Sequence, residues 1–391
     1  MKPTLVILLD AFGSEYFGKS KYLKELGKEY SISKFETIFG YQAGDDAFFS
    51  GKYPEETNIW FNFIINRHNS IYKNTKYVLP IFKILDKINQ KILHMGLPFI
   101  ISKIYNMSYL WKLPQNMPLD LLPYVDIALK YHSADKRYHN ENVFSLLRMH
   151  GEKYFIFISN VVFNENGYKI YYTKKGNDTT AKNLFLKYLN KKNKFFFVHL
   201  MGLDKIGHVH YTGKEVEDVI RKEEELIEEM MSEFFKVFPD GKFIIFGDHG
   251  MAPVKKIIDS NEILDFVKEF DEKMLYFIDS TFLRIYLSKK DTKYQIIKEL
   301  KESFDLFIVD KEVSQKYKVP YDNRYGDIII STKPYEIFYP NFFDTTIPKG
   351  MHGYTPEIPE APGCLITNME IERKDMISIP EFARMLGRGI K

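Results

Sequence analysis

Three unbroken apolar runs, LVILLD (5–10), FFFVHL (195–200) and FIIFGD (243–248), restrict the fold of this chain more than any other feature. A strand with one solvated face alternates apolar and polar residues. A strand that stays apolar at every position must be covered on both faces, as in a parallel sheet sandwiched between helices. CLITNM (364–369) reads as a fourth run of the same kind. Between the second and third runs, residues 214–238 place Val216, Val219, Ile220, Leu226, Ile227, Met230, Met231, Phe234 and Phe235 at helical spacing. Strand, helix and strand form a right-handed crossover unit. The expected fold is α/β: a doubly wound, mostly parallel sheet with helices on both faces. The expected core comprises 1–64, 151–261 and 346–391, with a mainly helical cap insertion at 65–150 and a smaller α/β insertion at 262–345. Within the smaller insertion, 282–287, 305–310 and 326–332 read as strands and 293–303 as a helix.

A chain of 391 residues exceeds one small core and suits two to three domains, or one large domain with insertions. Its 55 basic and 52 acidic residues nearly balance, which argues against a nucleic-acid polymer as partner. The single cysteine, Cys364, excludes a disulfide framework and a cysteine-based zinc site within the chain. A reducing compartment fits, so the expected location is cytoplasmic, with the inner membrane face as an open option. The first apolar run contains Asp10 and lacks a small-residue cleavage site, and is read as a core strand rather than a signal peptide. No apolar stretch is long enough for a transmembrane helix. Residues 73–112 carry seven lysines and one acid, Asp86. They read as a cap of short helices divided by Pro80, Pro98 and Pro114; the alternative is a peripheral surface that meets anionic lipid phosphate.

Ligands of such sheets bind beyond the carboxyl ends of the strands. Asp10 and Asp248 fall there, and Asp204 lies shortly past a third end. In GLDKIGHVHYTG (202–213), Asp204 and His208 are one helical turn apart. Asp248 and His249 share a glycine-flanked turn, and KGMHGYTP (349–356) presents His352. Aspartate and histidine without cysteine suit Zn²⁺, with Mn²⁺ as the alternative. Any one group alone is ordinary, since a strand-terminal Asp is commonly a cap or turn. The signal is four groups in chain order at core strand ends. His68, His94, His132, His139 and His150 have no ligand-like neighbours and read as surface or packing residues. His199 reads as a core histidine with a hydrogen-bond partner, or as support for a ligand. His210 should face away from His208, and Trp60 reads as packing.

VILLDAFG, SGKYPEETNIW (50–60), GLDKIGH, FGDHGM and MHGYTP together resemble the alkaline phosphatase superfamily, in its type I phosphodiesterase/nucleotide pyrophosphatase branch. The matching pieces span the core but not the insertions. The resemblance implies two divalent metal ions, one held by Asp10, Asp248 and His249, the other by Asp204, His208 and His352. It implies a hydrolase or transferase of phosphodiester or phosphoric-anhydride bonds, in which the ions clamp the phosphate of a small molecule; a membrane-surface role of 73–112 would suit a glycan- or lipid-linked substrate. The family nucleophile is a Ser or Thr about ten residues before the glycine of an [ST]Gx[YF]P segment. Here that glycine is Gly51, the count falls on Tyr41 or Gln42, and no Ser or Thr occurs between Thr37 and Ser50. Tyr41, Gln42, Asp45 and Asp46 are therefore the candidates for the reacting-oxygen side. Asp45 or Asp46 would complete a metal shell while a metal-activated water attacks. Tyr41 would act as a phenolate, or Thr37 or Ser50 would fill the place through a local shift. The plain alternative for Asp45 and Asp46 is a solvated turn or helix N-cap. A second class of function is a catalytically impaired relative that binds a phosphate-bearing ligand through retained metals. A phosphomutase needs a hydroxyl carrier and a sulfatase a convertible Cys or Ser, and neither stands at the expected place. The sequence carries no signal of oligomeric state.

Overall fold

The computed structural model describes residues 2–40, 44–77, 79–80, 113–128, 147, 151–158, 161–164, 167–170, 177–371 and 374–390. The first apolar run forms strand β1 (Thr4–Leu9), and its residues divide between two cores. Leu5, Ile7 and Leu9 pack with Val216, Ile220, Ile227 and Phe234 on one face. Val6 and Leu8 pack with Phe48, Phe49, Ile379 and Phe382 on the other. Successive strand residues point to opposite faces, so burial of both faces keeps the strand apolar from Leu5 to Leu9, while Thr4 at its start is buried with its hydroxyl donating to the Lys2 carbonyl at 2.9 Å. Each such side chain contributes ~1.5–3 kcal/mol by leaving water.

β1 lies within a nine-stranded sheet. The other strands are β2 (Ser31–Glu36), β3 (Lys153–Ile158), β4 (Val161–Asn164), β5 (Gly167–Ile170), β6 (Asn193–Leu200), β7 (Lys242–Phe246), β8 (Gly363–Thr367) and β9 (Met376–Ser378). Their order is β9-β2-β8-β7-β1-β6-β3-β4-β5. β1 runs parallel to β6 and β7, and β6 parallel to β3, giving the expected parallel centre. The run at 364–369 departs from expectation: β8 is antiparallel to both β7 and β2. Burial on both faces makes a strand apolar whichever way it runs, so the sequence pattern carries no direction.

Five helices matter for the site: α1 (Ser14–Phe17), α2 (Gly44–Ser50), α3 (Asn177–Tyr188), α4 (Gly202–His210) and α5 (Lys214–Val237). α5 buries most of the predicted apolar stripe, with Val219 and Phe235 partly buried at its edge and Glu223 buried among it.

The second insertion leaves the core through a parallel pair, Lys256–Asp259 with Glu336–Tyr339. Its four-stranded sheet is antiparallel, in the order Leu275–Ile278, Phe282–Tyr286, Ile328–Ser331, Phe307–Ile308. The smaller insertion thus combines helices with an antiparallel sheet. The first two strands are joined by a tight turn, which only antiparallel neighbours permit. The strand expected over 305–310 shrinks to Phe307–Ile308.

Of the expected helical cap, most lies outside the described residues, including nearly all of the lysine-rich stretch. Its described flanks form an antiparallel pair, Phe63–Ile65 with Val125–Ile127. Phe63, Leu122 and Val125 share one core with Phe277, Leu283, Ile285 and Ile330 of the second insertion. Arg284, fully buried, fastens the two. Its Nη2 stands 2.9 Å from Asp279 Oδ2, its Nη1 donates to the Phe63 carbonyl at 2.7 Å, and its guanidinium faces the Phe61 ring. Among the described residues, no helix is long and apolar enough to cross a membrane.

Candidate metal centre

Because β6, β1 and β7 are parallel neighbours, their carboxyl ends share one rim. Two backbone features bring the segments after β1 and β7 into contact. Ala11 takes a left-handed conformation, φ 64°, directly behind Asp10; a non-glycine residue there costs about 1–2 kcal/mol. Gly247 lies so close to the turn after β1 that a Cβ would stand 2.1 Å from the Phe12 carbonyl oxygen. Asp10 and Asp248 therefore emerge side by side.

Asp10 Oδ2 accepts from His199 Nε2 at 3.0 Å, and Oδ1 lies 3.2 Å from His249 Nε2. Burial opposes the charge of Asp10, but these two imidazoles hold its carboxyl well below the usual range. Asp248 is pushed up to about 6 by burial, with His249 partly offsetting it. Its Oδ1 is buried without a hydrogen-bond partner. Gly44, the first residue of α2, abuts this carboxylate: a Cβ there would lie 3.0 Å from Asp248 Oδ2. His249 stacks on His352, centroids 3.8 Å apart and planes within 11°. Burial disfavours a charged His249, yet Asp248 and Asp10 bring it up to about 10.

On α4, Asp204 Oδ1 lies 3.2 Å from His208 Nε2 and 3.5 Å from His352 Nε2. His208 Nδ1 lies 3.0 Å from the Gly350 carbonyl and donates to it, which orients Nε2 toward the centre. Burial again works against charge on His208, and Asp204 overrides it to about 9. His352 is held well below the usual histidine range by burial and by its His249 and His208 neighbours.

All six predicted ligands thus converge. Donor atoms of Asp10, Asp248 and His249 lie within 4.8 Å of one another, as do those of Asp204, His249 and His352; His208 joins through Asp204. His249 belongs to both groups, where the sequence reading gave it to one. These residues fit divalent ions: the donors are oxygen and nitrogen without thiolate, and Asp204 Oδ1 and Asp248 Oδ1 are buried without hydrogen bonds.

His199, on β6, supports Asp10. His210 turns elsewhere, 3.8 Å from Glu215. His68 is exposed, and His94, His132, His139 and His150 lie outside the described residues. Trp60 is fully buried, its Nε1 donating to the Phe39 carbonyl at 2.8 Å. Tyr41, Gln42 and the side chain of Asp45 also lie outside the described residues. Asp46 is not in a solvated turn: it stands in the first turn of α2 and is buried, because the neighbouring Phe48 and Phe49 draw that helix onto the sheet. Ser50 Oγ donates to the Asp46 carbonyl at 2.6 Å. Thr37, by contrast, lines a small pocket with His249, His352, Gly353 and Glu360. Sequence reasoning missed the Gly350 carbonyl and two buried acids beneath α4, Asp178 and Glu223. An acid on the apolar stripe of α5 was the available signal for Glu223.

Comparison with known proteins adds to this geometry. Residues 114–355 match the family described as type I phosphodiesterase/nucleotide pyrophosphatase. Murine ectonucleotide pyrophosphatase/phosphodiesterase 5 superposes with a TM-score of 0.66 at 14% identity, covering 100% of this chain and 95% of that one. An inactive threonine-to-alanine variant of that protein in complex with AMP, and the human protein, each give 0.68 at the same identity and coverage. These likenesses establish the fold. A stretch of 76 residues is 41% identical to GPI ethanolamine phosphate transferase 1 of Mus musculus; it is 18% of this chain and spans 8% of that relative's length. The chain belongs to the type I phosphodiesterase/nucleotide pyrophosphatase family, within the alkaline phosphatase superfamily.

Proposed function

We propose that this chain is a divalent-metal-dependent hydrolase or transferase of phosphodiester or phosphoric-anhydride bonds. The observation that carries the reading is the convergence of six Asp and His side chains at one rim of the family's sheet. Asp10, Asp248 and His249 would hold one ion, and Asp204, His208 and His352 the other, with zinc favoured by the mixed carboxylate and imidazole donors and manganese second. Such ions supply Lewis acidity and orient a phosphoryl group for in-line displacement. The chain's own residues do the rest. His199 and the Gly350 carbonyl fix ligand orientation, and the His249 and His352 rings hold each other by stacking. Thr37 lines the small pocket that those rings also line. The short likeness to a GPI ethanolamine phosphate transferase supports a lipid- or glycan-linked phosphodiester as the substrate class.

The test is turnover of an aryl phosphodiester by metal-reconstituted protein, compared with His208→Ala, Thr37→Ala, Gln42→Ala and Asp45→Ala. Zinc- or manganese-dependent hydrolysis that His208→Ala abolishes supports the proposal, and the other variants identify the reacting-oxygen side. Two bound ions without turnover of a diester, anhydride or monoester would favour the impaired relative that binds phosphate without cleaving it. The lack of a Ser or Thr between Thr37 and Ser50 is the observation behind that second reading.

A further inference from the structure

α4 begins without a side-chain cap of its own, since Met201 at its N-cap supplies none. Its first amides are served from two other helices. The Met201 N–H donates to Asp178 Oδ1 on α3 at 2.9 Å, and the Leu203 N–H donates to Glu223 Oε1 on α5 at 3.0 Å. Both acids are buried, at 7% and 3% exposure. They crowd the helix start so closely that a Cβ on Gly202 would stand 2.4 Å from Asp178 Oδ2 and 2.8 Å from Glu223 Oε1. Burial pushes the Glu223 carboxyl well above its usual range, and Asp178 adds to the shift. Burying two acids together is costly. Open amides and the positive end of the helix dipole offset part of that cost.

We propose that Asp178 and Glu223 are positioning residues for the Asp204/His208 half of the metal centre. This rests on the two-ion reading above. Asp204 directly follows Leu203, so a shift at the start of α4 reaches its carboxylate at once. The far end is held independently: the Lys349 N–H donates to the His208 carbonyl at 2.8 Å, and the Tyr16 hydroxyl donates to the Tyr211 carbonyl at 2.7 Å. Loosening the start therefore tilts the helix without releasing it. Asp10 and Asp248 stand beyond β1 and β7, whose pairing involves neither acid. The Asp10 N–H does donate to the Leu200 carbonyl beside Met201, at 2.9 Å, so the effect falls mainly, not solely, on the Asp204/His208 ion.

The experiment is calorimetric titration of Zn²⁺ into the metal-free full chain, with His208→Ala used to identify the affected step. Wild type should bind in two steps. Asp178→Ala and Glu223→Leu should weaken the His208 step ~10–100-fold, the range seen when support for a ligand is lost, and weaken the other step distinctly less. Glu223→Gln, which keeps an acceptor for the Leu203 amide, should retain both. Glu223→Leu completes the apolar stripe of α5, so circular dichroism should show it folded even if Asp178→Ala is not. Equal weakening of both steps, or of neither, in folded Glu223→Leu would overturn the inference alone. Absence of two-step binding in wild type would overturn it together with the two-ion reading.

Discussion

Loading the proposed metal centre should expel protons, and the number follows from the site. In the metal-free protein, burial disfavours charge on His249 and His208, but the surrounding carboxylates prevail and bring the rings to about 10 and about 9. Both rings therefore hold a proton near neutral pH, and each must lose it before its nitrogen can bind a metal. One such ring belongs to each proposed site. Near pH 7.5, binding of two ions should release about two protons per chain, and each site should weaken about tenfold for every pH unit below its ring's pKa. The fold responds in the opposite sense. Raised ring pKa values stabilise the metal-free fold fully below the unfolded histidine value of about 6.5. That contribution is lost as pH rises through about 9 to about 10, so metal-free Tm should fall across this window while metal affinity climbs. The assay is zinc calorimetry near pH 7.5 in two buffers of different ionisation enthalpy, where the dependence of observed heat on buffer counts the protons. Buffer-independent heat would refute the reasoning, because the rings would already be neutral.

Other consequences concern single side chains. Arg284→Ala should destabilise by ~3–5 kcal/mol in urea unfolding, since it leaves Asp279 buried and unpaired; Arg284→Met with Asp279→Leu should recover most of the loss. His199→Phe fills the same space but removes the donor to Asp10, so binding at the Asp10 site should weaken ~10–100-fold with circular dichroism unchanged. Gly247→Ala would press a methyl against backbone that cannot yield; a loss of about 3 kcal/mol or more should appear in thermal melts, with metal binding impaired.

The parallel centre was legible because burial on both faces leaves an unmistakable run, as in β1, β6 and β7. The direction of β8 was not, since an equally buried antiparallel strand reads the same. β2, SISKFE, alternates in burial and carries charges, so it offered no such run. Ligand convergence was readable where carboxylates sit at parallel strand ends. His352 was singled out from its own segment, but which ion it serves came only from the family resemblance, because its place is set by a short antiparallel pairing of Gly350–Met351 with Ala252–Pro253. The buried Glu223 and Arg284 escaped notice for a common reason: each is one charged residue within an apolar pattern, and its partner is remote in sequence.

The most direct test of the account is anomalous diffraction at the zinc edge from crystals of reconstituted protein. The account predicts two ions per chain, one bound by Asp10, Asp248 and His249 and the other by Asp204, His208 and His352. A single ion, no ion, or ions bound away from these six side chains would contradict it.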